Sequence, residues 1–122
     1  MSRRDLTSEF QLYPKNAKIL GWVETSGAGA WTIDAHYNVS SITDNGAGDF
    51  TINWLNAFSN ANYVVIGMAI GASGGGVALD VFEGTATAKS ATVVRVVVIN
   101  SADGVTATDP TTGISVVAIG RE

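Results

Sequence analysis

The chain has 122 residues, which suits one domain, with 46% hydrophobic and only 15% charged residues. It has no cysteine, which excludes disulfides and thiolate metal sites, and a net charge of −4 disfavours nonspecific nucleic-acid binding. No apolar run is long enough to cross a bilayer as a helix, so membrane insertion is not expected.

Residues 1–18, MSRRDLTSEFQLYPKNAK, carry Arg3, Arg4, Lys15 and Lys18 against Asp5 and Glu9, a net of +2, while residues 19–122 carry a net of −6. No apolar core follows the first charges, so the start does not read as a secretory signal. The segment shows neither a helical face nor clean alternation, and Pro14 favours an extended stretch before it. It reads as an arm with at most one short turn. A basic arm ahead of an acidic body suits attachment, with Arg3, Arg4, Phe10, Tyr13 and Lys15 as candidate anchoring residues.

The remainder reads as β. Strands are expected over 19–25, 31–39, 40–43, 50–55, 63–72, 77–82, 92–100 and 114–120, separated by turn-forming runs such as SGAGA, DNGAGD and GASGGG. No long segment has the 3.6-residue period. These features predict an all-β fold, an antiparallel, jelly-roll-like β-sandwich over residues 19–122 behind the arm of residues 1–18.

The two-residue period assigns faces. Phe50, Ile52 and Trp54 share one face of their strand, opposite Thr51, Asn53 and Leu55. In 92–100, Val94, Val96 and Val98 share one face and Val93, Arg95, Val97 and Ile99 the other, so both are apolar. A sandwich strand apolar on its outer side suggests subunit packing, and Val94, Arg95, Val96 and Val98 are the candidate oligomer interface. A buried Arg95 needs a carboxylate or carbonyl, and a partner within the same chain is favoured.

Reactive chemistry is sparse. His36 shares a strand face with Asp34, but a triad also needs a positioned nucleophile, and a surface polar pair is the commoner meaning. GASGGG leads into a strand rather than a helix, so it reads as a hairpin tip and not a phosphate cradle. Asp80 and Glu83 point to opposite faces of one strand. Asn38-Val39-Ser40 fits the glycosylation sequon. Trp31 and Trp54 are weak candidates for stacking on a glycan, since alternating tryptophans more often fill a core or an interface. No cofactor or metal motif stands out, and no enzymatic activity is expected.

The stretch YNVSSITDNGAGDFTINW at 37–54, followed by NAFSNANYVVIGMA, carries the most information. It closely resembles a segment near the C-terminus of many bacteriophage tail-fibre and virion-fibre proteins. The matching residues are 37–42, Asn45, Gly46, Gly48, Asp49, 50–53 and 61–63, then Val93-Val94-Arg95-Val96 and the closing strand at 114–120. The resemblance covers about residues 31–120. It implies a homotrimeric structural protein on the virion surface, partnered by itself and by capsid or tail proteins. A host-attachment tip that binds surface glycans is the alternative. The pattern commonly ends a longer fibre, whereas only about 30 residues precede it here. A head fibre or decoration protein, anchored by its basic arm, is therefore expected over a full tail fibre.

Overall fold

A computed structural model describes residues 17–27, 29, 31–71 and 78–121. It contains β1 (Lys18–Ser26), β2 (Thr32–Tyr37), β3 (Val39–Gly46), β4 (Asp49–Trp54), β5 (Tyr63–Ile70), β6 (Leu79–Glu83), β7 (Val93–Asn100) and β8 (Gly113–Gly120), with no α-helix among the described residues. Two four-stranded sheets form, in the orders β2-β1-β8-β5 and β3-β4-β7-β6, and every pairing is antiparallel. The expected antiparallel β-sandwich is therefore observed, built from sequential hairpins within each sheet and not from the two Greek keys of a jelly roll. The chain makes one hairpin in each sheet, crosses back for β5, crosses again for the β6–β7 hairpin, and returns as β8 between β1 and β5.

Differences from the expected boundaries have local causes. The break expected after Val39 falls at Asn38, which takes φ 58, a left-handed conformation that asparagine tolerates better than most residues. β1 begins at Lys18 and so takes in the last residue of the expected arm. Arg3, Arg4, Phe10, Tyr13 and Lys15 lie outside the described residues. The run at 71–76, expected as a hairpin tip, instead belongs to the connection between β5 in one sheet and β6 in the other; residues 72–77 lie outside the described residues.

The core lies between the sheets. Phe50, Ile52 and Trp54 of β4 and Val94, Val96 and Val98 of β7 meet Val23, Ile114, Val116 and Ala118 of the opposite sheet, all buried. Burying each large aliphatic or phenyl side chain stabilises by about 1.5–3 kcal/mol relative to leaving it in water. Trp54 sets a local demand on β1. A Cβ on Gly21 would sit 2.6 Å from the Trp54 ring, so the strand passes over the indole only with glycine there. The β1–β8 register shifts at this point, with Leu20 and Gly21 both buried. Trp22 then returns to the outward side with Ile19.

The β3–β4 turn explains the spelling DNGAGD. Asp44 Oδ1 accepts the Gly46 N–H at 3.0 Å, as expected of a turn aspartate. Gly48 has φ 61; its N–H donates to Asp109 Oδ1 at 2.6 Å and its carbonyl accepts from Val98 N at 2.7 Å. A Cβ there would overlap the backbone of Thr108 and the carbonyl of Val98. Glycine is thus required twice, for its dihedral and for its lack of volume. Gly104 shares the left-handed dihedral, φ 69, but has open space around it. Gly104→Ala should cost only the dihedral penalty of roughly 1–2 kcal/mol, and Gly48→Ala at least about 1 kcal/mol more. Equal urea midpoints for the two variants would contradict the clasp.

Candidate interaction surface

Val94, Val96 and Val98, expected at an interface between copies, are core residues: at 0–1% exposure the opposite sheet of their own chain already covers them. Arg95, on the outer side of β7, is held within the chain. Its Nε donates to Asp49 Oδ1 at 2.8 Å and a terminal nitrogen donates to Asp49 Oδ2 at 2.5 Å, a bidentate pair of the kind favoured at expense of the intersubunit alternative. Asp49 thus serves Arg95, and Asp109 from a distant loop takes the Gly48 amide.

Trp31 and Trp54 are also buried, at 4% and 5% exposure, and offer no stacking face to a glycan. Trp31 lies 4.3 Å from Phe50, ring centre to ring centre, and takes φ 49. Its indole N–H has no hydrogen-bond partner among the described residues. Trp54 stacks on Phe58 and donates to Tyr63 Oη at 3.2 Å. The Tyr63 hydroxyl lies 2.9 Å from the Ser90 carbonyl, and burial pushes this phenol above its ordinary value.

Asp34 and Asn38 have hydrogen-bond partners within the chain. Asp34 accepts from Ser26 Oγ at 3.0 Å, and no hydrogen bond joins it to His36 among the described residues. The Asn38 amide of the sequon donates to the carbonyls of Leu20 and Asn56, each at 3.1 Å, while its oxygen accepts from Asn56 N at 2.8 Å. It ties the β2–β3 break to β1 and to the loop after β4.

The feature that stands apart is the outer face of the β2-β1-β8-β5 sheet. Register places Ile19, Ile119 and Val64 in one row, Tyr37, Trp22, Val117 and Ile66 in the next, and Glu24, Ser115 and Met68 in a third. Ile19 is 57% exposed, Tyr37 55%, Val64 61%, Ile66 55% and Met68 73%. Ile19 and Trp22 on one side and Ile66 and Met68 on the other bound an apolar trough of about 330 Å³ floored by Ser115 and Val117. Contiguous apolar surface on this scale marks a surface that meets something else. Sequence inspection missed it because the β1–β2 hairpin, β5 and β8 are far apart in the chain; the one available signal was the apolar run from Tyr63.

The opposite outer face is polar and internally bonded on its β3–β4 half, while Val93, Val97 and Ile99 of β7 and the 53% exposed Phe82 of β6 make its other half largely apolar. Asn53 Nδ2 donates to Ser41 Oγ at 3.1 Å and Thr43 Oγ1 at 3.0 Å, and Asn45 Nδ2 donates to Thr51 Oγ1 at 2.8 Å. Arg95 and Asp49 continue this network across β4 and β7. A separate polar hollow of about 420 Å³ lies between Lys18, Tyr37, Asn38, Asn56 and Phe58. Among the described residues no cluster of three or more His, Asp or Glu side chains is placed to hold a metal ion. Compared with protein-family models, with curated proteins and with solved structures, the chain finds no match.

The Arg95 guanidinium holds the Asp49 carboxyl below its ordinary value of 3.8. Asp103, which accepts from Thr106 and from the Val105 amide, is pulled down to about 2. A carboxyl with a depressed folded-state pKa contributes stability above its unfolded value and loses it as pH falls through the folded value. Stability should therefore fall between about pH 4 and pH 2. Asp49→Asn should lower stability at pH 7 by roughly 1–3 kcal/mol and make the acid decline shallower. An unchanged acid slope, measured by urea denaturation at several pH values, would rule out Asp49 as a contributor.

Proposed function

We propose that this chain is a structural bacteriophage virion protein. It forms a homotrimeric fibre or decoration unit, anchored to capsid or tail proteins through residues 1–18, with its β domain displayed at the particle surface. The observation that carries the reading is the outer face of the β2-β1-β8-β5 sheet, which is apolar and exposed across its width, whereas the opposite outer face is a bonded polar network on its β3–β4 half. A protein built to assemble buries the first and presents the second. The resemblance of residues 37–63 to virion-fibre segments points the same way, and the left-handed Asn38 and clasped Gly48 give physical reasons for two of the matching positions. The net +2 of residues 1–18 against the acidic body supports the anchoring role.

A second reading, a glycan-binding attachment tip, draws on the polar hollow beside Tyr37, where Lys18 and the Asn56 amide accompany an exposed aromatic ring.

Light scattering of the full chain at low micromolar concentration should give a mass near three times the 12.6 kDa chain. Deleting residues 2–16, which stops short of β1, should preserve that mass and abolish co-sedimentation with virus particles. Retained co-sedimentation would overturn the anchoring role, and a monomeric full chain would overturn the assembly itself.

A further inference from the structure

The apolar face has relief as well as composition. Val64, Ile66 and Met68 stand up along β5 as a ridge, 55–73% exposed. Beside them runs the trough along β8, floored by half-buried Ser115 and Val117 and walled on its far side by Ile19 and Trp22. We infer that the β5 ridge of one copy seats in the β8 trough of the next copy. This rests on the assembly reading above and names its contact surface.

Three observations select a second copy as the occupant. Ridge and trough lie side by side on the same face, so each copy carries both halves of the contact and the face is complementary to itself. Among the described residues Glu24 is the single ionisable side chain lining the trough, so a strongly charged partner would find few complementary charges, whereas a chain with 15% charged residues brings few. The area is also adequate. Four strands about 4.8 Å apart and roughly eight residues long at about 3.4 Å each cover about 500 Å² in plan. Side-chain relief raises this toward the roughly 800 Å² per partner of a standard stable interface.

The step involves no covalent change, only desolvation. Trp22 and Tyr37 provide the aromatic side of the contact and Ile66 and Met68 the aliphatic side, a pairing suited to an anchor in a pocket.

The test uses full-length Ile66→Asp and Met68→Glu, with Thr43→Asp on the polar sheet as control. Both target side chains are more than half exposed, so the fold should survive, and unchanged circular dichroism would verify this. Light scattering across a dilution series should show each face variant dissociating with a constant raised roughly 100-fold, and the Thr43 variant behaving as wild type. If Ile66→Asp and Met68→Glu keep the wild-type mass, this contact is wrong and the assembly reading stands. If wild type is monomeric at every concentration, the assembly reading fails with it. If the wild type is monomeric and the variant lacking residues 2–16 gains mass or binds a hydrophobic dye, the chain's own N-terminal segment covers the trough, and the inference is overturned. A two-chain wild-type mass lost in both face variants supports the ridge-in-trough contact and contradicts the trimer.

Discussion

Alternation along β8 sets two apolar surfaces back to back. Ile114, Val116 and Ala118 point inward and are buried, while Val117 and Ile119 point outward between the exposed side chains of β1 and β5. The inner surface is covered by the second sheet, and nothing in the chain's described residues covers the outer one to the same degree. Burial at about 25 cal/mol per Å² drives both surfaces alike, so the force that closes the sandwich also favours covering its outer face. The bulge at Leu20 and Gly21 belongs to the same arrangement: it accommodates Trp54 beneath β1 and turns Trp22 outward.

The second sheet is built differently. On its β3–β4 half the outer side chains satisfy one another through Asn53, Asn45 and the Arg95–Asp49 pair, and among the described residues its outward apolar side chains are confined to Val93, Val97 and Ile99 of β7 and Phe82 of β6. Long-range ties fix the loops around it. Asp109 reaches the Gly48 amide, Asn38 joins Leu20 to Asn56, and Lys89 bonds the Tyr63 carbonyl while lying 4.7 Å from the ring centre. Such contacts pin the sandwich ends and leave the apolar sheet face as the surface with most to gain from association.

Local pattern made the strands readable. Phe50, Ile52 and Trp54 alternate cleanly with polar residues, and the turn spelled Asp44 to Asp49 needed no tertiary information to be placed. The contact surface was another matter. Val94, Arg95, Val96 and Val98 looked like an interface in a strand whose neighbours were unknown, yet the three valines face the opposite sheet and Arg95 pairs with Asp49 of β4. The larger exposed apolar face joins Ile19 and Trp22 to Val64, Ile66 and Met68 through β8, a strand at the far end of the sequence. Periodicity reports which side chains share a face of one strand; strand order decides which strands share a sheet. The burial of Trp31 and the roles of Asn38 and Asp109 depend on the same long-range placement.

The most direct test is hydroxyl-radical footprinting of the full wild-type chain over a wide concentration range. Met68, 73% exposed in the single chain, and Trp22 should become protected as concentration rises, while Val105, 76% exposed on the loop after β7, should label at a constant rate. Met68 and Trp22 labelling that does not change with concentration, at rates typical of freely exposed side chains, would contradict self-assembly through this face.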